Sequence, residues 1–104
     1  MPILEIYRAK IDPADVQHLL EIRAAAVAEF QEHVPELLQA DLVHLHDDVW
    51  LDVLVWSAEV EEERVSRAAA APTSVEMHGL ITDVLSHERG EIRHSTASAW
   101  ATAR

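Results

Sequence analysis

The chain has 104 residues, of which 49% are hydrophobic, and this is enough for a single domain with its own core. Its formal net charge of −11 argues against nucleic acid or an anionic membrane as a partner, because both bind clustered Lys and Arg side chains. The absence of cysteine excludes disulfides, thiolate nucleophiles and cysteine-bound metals. Glu5 interrupts the apolar stretch that a signal peptide needs, so we expect a cytoplasmic protein.

The first two predicted elements are a strand and an amphipathic helix. Residues 2–11, PILEIYRAKI, have strand composition with alternating side chains. Asp12 and Pro13 follow, and they favour a helix start because Asp is a common N-cap and Pro suits the first helical position. The apolar residues that come next recur at helical spacing until Pro35. Residues 35–40 are therefore expected to form a bend or a short turn.

A hairpin is predicted from residues 41–57, DLVHLHDDVWLDVLVWS, with its turn at Asp47 and Asp48. Regular alternation gives one face with Leu42, His44, His46, Val49, Leu51, Val53 and Val55, and another with Asp41, Val43, Leu45, Trp50, Asp52, Leu54 and Trp56. Neither face is polar enough for water, so both are expected to be covered. We expect the helices of the domain on one face and a second copy of the chain on the other, which predicts a homodimer.

A second helix is predicted over residues 58–71, with Ser57 as its cap. Its first turns are rich in glutamate, a composition that could suggest a metal site. Negative charge near the positive end of a helix dipole explains the same composition. We therefore interpret these glutamates as a solvated helix face.

The last predicted elements are a short helix and a strand. Residues 73–76, TSVE, have the capping-box pattern that opens a helix. Residues 84–94 have strand composition, with a bulge or bend expected at Gly90. The predicted domain spans residues 1–94, and residues 95–104 are expected to form a frayed tail.

The element order is strand, helix, strand, strand, helix, strand, which is the α+β ferredoxin-like βαββαβ arrangement, an antiparallel sheet with helices on one face. Residues 34–60, VPELLQADLVHLHDDVWLDVLVWSAEV, and residues 81–92, ITDVLSHERGEI, carry a resemblance to a known family. In these segments the chain resembles the antibiotic biosynthesis monooxygenase superfamily of dimeric α+β barrels, with Trp56 and Ser57 joining the third strand to the second helix. The resemblance implies a dimer built by two sheets packed face to face, and a ligand pocket between helices and sheet.

The same resemblance implies a monooxygenase-like enzyme that acts on an aromatic or polyketide-like small molecule without a cofactor. Members of the family surround the substrate with an Asn, a Trp and often a His. This sequence has no asparagine, and no tryptophan lies between residues 58 and 71, where the family usually carries its functional Trp. The alternative is a non-catalytic dimer that binds a small ligand or serves in assembly. On these departures we expect no haem degradation and no rapid oxygenation of anthrone-like substrates.

Four residues are the candidates for a functional site. His78, expected at the end of the second helical region where such folds open their pocket, and Tyr7, on the first strand, are predicted as catalytic groups. Trp56 and Trp50 are predicted to contact an aromatic ligand. Each polar group could instead be a satisfied hydrogen-bonding partner at the edge of the core.

The two histidines of the hairpin are spaced as two ligands of one metal ion can be. His44 and His46 are two residues apart, so on a regular strand they point the same way and could share a metal ion. No third ligand is visible beside them. We therefore predict ordinary histidines there, and neither a metal nor a cofactor for this protein.

Overall fold

The computed structural model describes residues 1–97, which form one four-stranded antiparallel sheet and three α-helices. The elements are β1 Ile3–Ile11, α1 Val16–His33, β2 Leu37–His46, β3 Val49–Trp56, α2 Glu62–Ala69, α3 Pro72–Gly79 and β4 Ile81–Glu91. The strand order in the sheet is β2-β3-β1-β4, so β1 lies between β3 and β4. This arrangement confirms the predicted ferredoxin-like fold, with the second helical region divided into α2 and α3.

The start of α1 follows the predicted signals with a small change. The Asp12 carboxylate accepts a hydrogen bond from the Ala14 amide at 2.9 Å, as an N-cap does. The capped segment is a short 3-10 turn over Pro13–Asp15, and α1 begins directly after it at Val16.

The segment predicted as a bend after α1 is largely a strand. The Val34 amide donates to the Phe30 carbonyl and ends the helix, and β2 begins at Leu37. Leu37 pairs with Trp56 of β3, and the Gln31 side chain donates to the Leu37 carbonyl at 2.9 Å. The expectation for residues 35–40 is therefore wrong from Leu37 onward, because pairing with β3 extends the strand.

The hairpin turns at Asp47 and Asp48 as predicted, with Asp47 in the left-handed region at φ 48°. The predicted register of its first strand is wrong. His46 pairs with Val49, but His44 pairs with Trp50, so Leu45 is an extra residue in β2. Because of this bulge, the β2 side chains that precede Leu45 lie on the sheet faces opposite to those predicted.

The helices cover the sheet face that carries the alternate β1 residues from Ile3 to Ile11 and both tryptophans of β3. One core cluster surrounds Trp56 and the other surrounds Trp50. The buried members of the first are Ile3, Val34, Leu37, Trp56 and Ala68, and those of the second are Ile11, Leu19, Ala26, Trp50 and Met77. Residues of α1 take part in both clusters, so α1 spans the whole length of the helical layer.

The opposite face of the sheet has an apolar central part. Arg8, Asp41 and Glu88 lie on the same face, because they pair with Leu51, Val53 and Ile6. Leu4 pairs with Val55 and Ile6 pairs with Val53, and directly opposed residues of an antiparallel pair lie on one face. Val43 pairs with Leu51 on the same side and is 41% exposed. We call this surface the apolar sheet face, and its residues are Leu4, Ile6, Val43, Leu51 and Val53; Val55 on the same side is already buried within the chain, at 1% exposure.

The predicted capping box does not form. Pro72 occupies the first turn of α3, where no side chain caps the helix. The Thr73 hydroxyl instead donates to the Glu29 carboxylate of α1 at 2.7 Å. A tertiary contact between two helices has thus replaced the local contact expected within residues 73–76.

The last strand begins and ends earlier than predicted, at Ile81 and Glu91. Gly90 pairs with Leu4 in regular register, so the bulge expected there is absent from β4. The register shifts instead at two steps of β1, Arg8–Ala9 and Lys10–Ile11, where Leu85 and Thr82 of β4 are the extra residues. Of the predicted tail, residues 98–104 lie outside the described part of the chain.

Each helix within residues 1–97 is too short or too polar to cross a lipid bilayer.

A two-point ion pair joins α2 to the start of β2. The Arg64 guanidinium donates to both carboxylate oxygens of Glu36, at 2.7 and 3.0 Å. These hydrogen bonds are the main reason why the pKa of Glu36 lies below its usual value of 4.5.

This ion pair gives a pH-dependent prediction. Because the Glu36 pKa is lower in the folded chain, the stabilisation is complete above about pH 4.5 and is lost as the pH falls through the lowered pKa. Glu36→Gln should therefore lower the melting temperature at pH 7, and the difference from the parent should shrink as the pH falls below 4.5. Thermal melts followed by circular dichroism between pH 3 and pH 7 measure this, and an equal difference at all pH values would contradict it.

Candidate active site

A cavity of about 270 Å³ lies between the helices and the sheet, with lining residues from both core clusters. Its walls are mainly apolar, and Val27, Phe30, Leu54 and Met77 are among the side chains that form them. A dry protein cavity of about 150 Å³ holds benzene. The cavity of this chain therefore has room for a flat molecule of about two fused rings.

The structure brings three of the four predicted site residues to this cavity. Tyr7, Trp56 and His78 all line it, from β1, β3 and the last turn of α3. Trp50 is not among the lining residues. It lies in the second core cluster, where its ring stacks on His44 at a centroid distance of 4.3 Å. Its indole N–H has no hydrogen-bond partner within residues 1–97.

Tyr7 supplies a polar group at the middle of the sheet. Its hydroxyl lies 3.4 Å from a carboxylate oxygen of Glu5, a long hydrogen bond that holds it weakly. Partial burial, followed by the negative charge of Glu5, raises the pKa of the Tyr7 phenol. Tyr7 therefore remains protonated at neutral pH and is available as a hydrogen-bond donor.

Glu5 is a site residue that the sequence did not single out. Its carboxylate is about nine-tenths buried at the cavity wall. One oxygen accepts from the Trp56 indole at 3.2 Å, and the other lies 2.6 Å from Nε2 of His87. The signal was present, since alternation along residues 3–11 places this charge on the core side of β1.

An ion pair forms a second polar region of the cavity. Nη2 of Arg23 lies 2.8 Å from Oδ1 of Asp52, and the two side chains are only 11% and 16% exposed. Both residues line the cavity. A guanidinium has five N–H donors, so this pair leaves donors for an oxygen of a ligand.

The side chains of His44 and His46 in the hairpin point to opposite faces of the sheet. The bulge at Leu45 pairs His44 with Trp50 and His46 with Val49, and these neighbouring β3 residues point to opposite faces. The expectation that both imidazoles point the same way is therefore wrong. Residues 1–97 contain no group of three or more histidine, aspartate or glutamate side chains placed to hold a metal ion.

Comparison with known proteins gives a match at the level of structure. No protein-family model matches the sequence, and no curated protein matches it. Among solved structures, SnoaB of Streptomyces nogalater, described as a cofactor-independent oxygenase, superposes with a TM-score of 0.59 at 18% identity, covering 92% of this chain and 97% of that one. A candidate antibiotic biosynthesis monooxygenase of Chloroflexus aurantiacus gives 0.61 at 15% identity, covering 91% and 96%.

A third structure, Rv0793 of Mycobacterium tuberculosis, has a TM-score of 0.59 at 12% identity and covers 93% of this chain and 100% of that one. Nearly the whole described domain takes part in each superposition. The resemblance noted in the sequence is therefore confirmed at the level of the fold, and the chain has the ferredoxin-like α+β fold of these structures, among them the candidate antibiotic biosynthesis monooxygenase.

Proposed function

We propose that this protein binds an aromatic or polyketide-like small molecule in the helix–sheet cavity and oxidises it without a cofactor, as a small homodimeric antibiotic biosynthesis monooxygenase-like enzyme. The observation that carries the proposal is the meeting of Tyr7, Trp56 and His78 in one largely apolar cavity. The description of SnoaB as a cofactor-independent oxygenase of the same fold supports it.

The cavity combines apolar walls with a small number of polar groups, as small-molecule sites do. The ring of Trp56 provides an aromatic surface for a flat ligand. Tyr7 offers a hydroxyl donor, Arg23 offers guanidinium donors and Glu5 offers a carboxylate acceptor. His78, on the exposed last turn of α3, adds an imidazole that can move a proton between ligand and solvent.

A non-catalytic dimer that binds a small ligand is the second candidate function. The sequence has no asparagine, and α2, Glu62–Ala69, has no tryptophan. The resemblance implies catalytic roles for these two residue types, so their absence favours a binding protein that has lost the reaction. Binding of a ligand in the cavity is common to both candidates, and turnover separates them.

Ligand binding is tested by filling the cavity. Ala69 of α2 lines it, and Ala69→Phe is expected to weaken binding of a flat bicyclic probe such as 2-naphthol by roughly tenfold or more. Ala25→Phe, on the exposed side of α1, is the matched control and should bind like the parent. Isothermal titration calorimetry measures both affinities. A parent chain that does not bind, or equal binding by Ala69→Phe, would contradict the proposed site.

The apolar sheet face predicts the homodimer. A stable interface buries roughly 800 Å² on each partner, and this face lies on the side of the sheet away from the helices. Val53→Asp is expected to dissociate the dimer because it places an uncompensated charge at the interface. Val75→Asp, at a position 57% exposed on α3, is the control. Light scattering at micromolar concentration gives the masses, and a monomeric parent would contradict the prediction.

A further inference from the structure

The carboxylate of Glu5 has three side-chain neighbours and still has capacity for a ligand. Oε1 accepts from Nε1 of Trp56 at 3.2 Å, and Oε2 lies 2.6 Å from Nε2 of His87 and 3.4 Å from the Tyr7 hydroxyl. An ionised carboxylate has about four acceptor positions. Since Glu5 lines the cavity, its remaining position is available to a bound molecule.

His87 holds this carboxylate in place. It pairs with Tyr7 across β1 and β4, and the two rings stack at 4.2 Å with an angle of 6° between their planes. The stack fixes the imidazole plane, and Nε2 then fixes Oε2 of Glu5. The His87 side chain is 43% exposed, so solvent reaches the imidazole that contacts the buried carboxylate.

The same cavity offers donors to an oxygen atom of a ligand. Within residues 1–97 the Tyr7 hydroxyl makes only the long contact to Glu5, so it can turn toward a ligand oxygen at small cost. Arg23 provides further N–H groups beside Asp52. A carboxylate and oxygen-directed donors in one apolar cavity suit a carbonyl compound with a weakly acidic C–H group next to the carbonyl carbon.

We infer that Glu5 is the base that removes this proton from a two-ring ketone, and that His87 is the residue that positions it. The inference rests on the proposed function, since it requires a ligand in the cavity. In the step, the C–H bond breaks and an O–H bond forms on Glu5. The electron pair moves into an enolate, and its oxygen accepts a hydrogen bond from Tyr7 or Arg23. No oxidant is consumed.

Deuterium exchange tests this step separately from oxidation. The probe is 2-tetralone in deuterated water without oxygen, and proton NMR follows the loss of the hydrogens next to the carbonyl. The acidic hydrogen on Glu5 exchanges with solvent through the exposed imidazole of His87, so the returned atom is deuterium. The parent protein is expected to accelerate exchange above the rate in buffer alone.

Three variants test which residues accelerate the deuterium exchange. Glu5→Gln should reduce the catalysed exchange by roughly a hundredfold or more while the affinity for 2-tetralone stays close to that of the parent. His87→Gln should also slow exchange without changing affinity, a pattern that a merely structural role would not give. Glu88→Gln is the control, because Glu88 pairs with Ile6 and belongs to the opposite face of the sheet. Its exchange rate should equal that of the parent.

Glu5→Asp serves if Glu5→Gln does not fold, since it keeps the charge but withdraws the carboxylate from the cavity, and it should also slow exchange. Binding of 2-tetralone without catalysed exchange, or with exchange unchanged in the Glu5 variants, would overturn this inference and leave the proposed site intact. A failure of 2-tetralone to bind the parent would overturn the proposed site and this inference with it.

Discussion

Trp56→Ala is expected to lower the free energy of unfolding by about 3 to 5 kcal/mol, because it removes a large buried ring and leaves a space that the fold cannot close. Trp56 is 6% exposed and packs edge-on against Phe30 at a ring distance of 6.1 Å. Its neighbours are held by the strand pairing of Ile3 and Leu37, so they cannot move far into the space. Urea unfolding followed by circular dichroism measures the change.

The indole of Trp56 also donates a hydrogen bond to Glu5, and a second variant separates this contact from packing. Trp56→Phe keeps a six-membered aromatic ring but removes the N–H, so the loss should be roughly 1.5 to 3 kcal/mol, the usual effect of losing one hydrogen bond to a charged group. A loss below about 1 kcal/mol in Trp56→Ala would show that the ring contributes little to the core and belongs to an open pocket.

The strand and helix pattern of this fold was readable from the sequence because each element carries its own local signal. Each of these signals lies within a few residues of the chain. They are the alternation along β1, the Asp12–Pro13 pair before α1 and the two aspartates of the hairpin turn. The bulge at Leu45 has no such signal. One extra residue in a strand changes neither composition nor length noticeably, yet it reverses the faces of the side chains before it.

The candidate site was also only partly predictable, because its residues are brought together from distant parts of the sequence. Tyr7, Trp56 and His78 could be nominated one at a time, as an inward aromatic, a strand-end aromatic and a helix-end histidine. The contact of Glu5 with His87 joins residues 82 positions apart, and it depends on β4 lying beside β1. The predicted ferredoxin-like fold implied that these two strands are neighbours, but not the register that places His87 opposite Tyr7. The polar network around Glu5 was therefore beyond reach, although the inward position of Glu5 was visible.

Turnover, if the chain catalyses the proposed oxidation, should depend on Tyr7 and His78. A positioned donor or acid–base group typically contributes roughly a hundredfold or more to a rate, and these two cavity residues are the candidates to substitute for the asparagine and helix tryptophan that the resemblance implies. Tyr7→Phe and His78→Ala should therefore each remove at least that factor from oxygen uptake with an anthrone-like substrate. Because those family residues are absent, the parent rate itself is expected to be slow, and no haem degradation is expected.

An oxygen electrode measures this uptake, and the controls are drawn from the same chain. His94→Ala changes an exposed histidine beyond β4 and should leave the rate unchanged. Light scattering and thermal melts show whether each variant keeps the fold and assembly of the parent. They therefore distinguish a lower rate of uptake from a loss of structure. Binding without uptake would favour the non-catalytic dimer. Brisk uptake that neither Tyr7→Phe nor His78→Ala reduces would place the reaction on other groups of the cavity, with Glu5 and Arg23 the next to change, because both line it and carry charge.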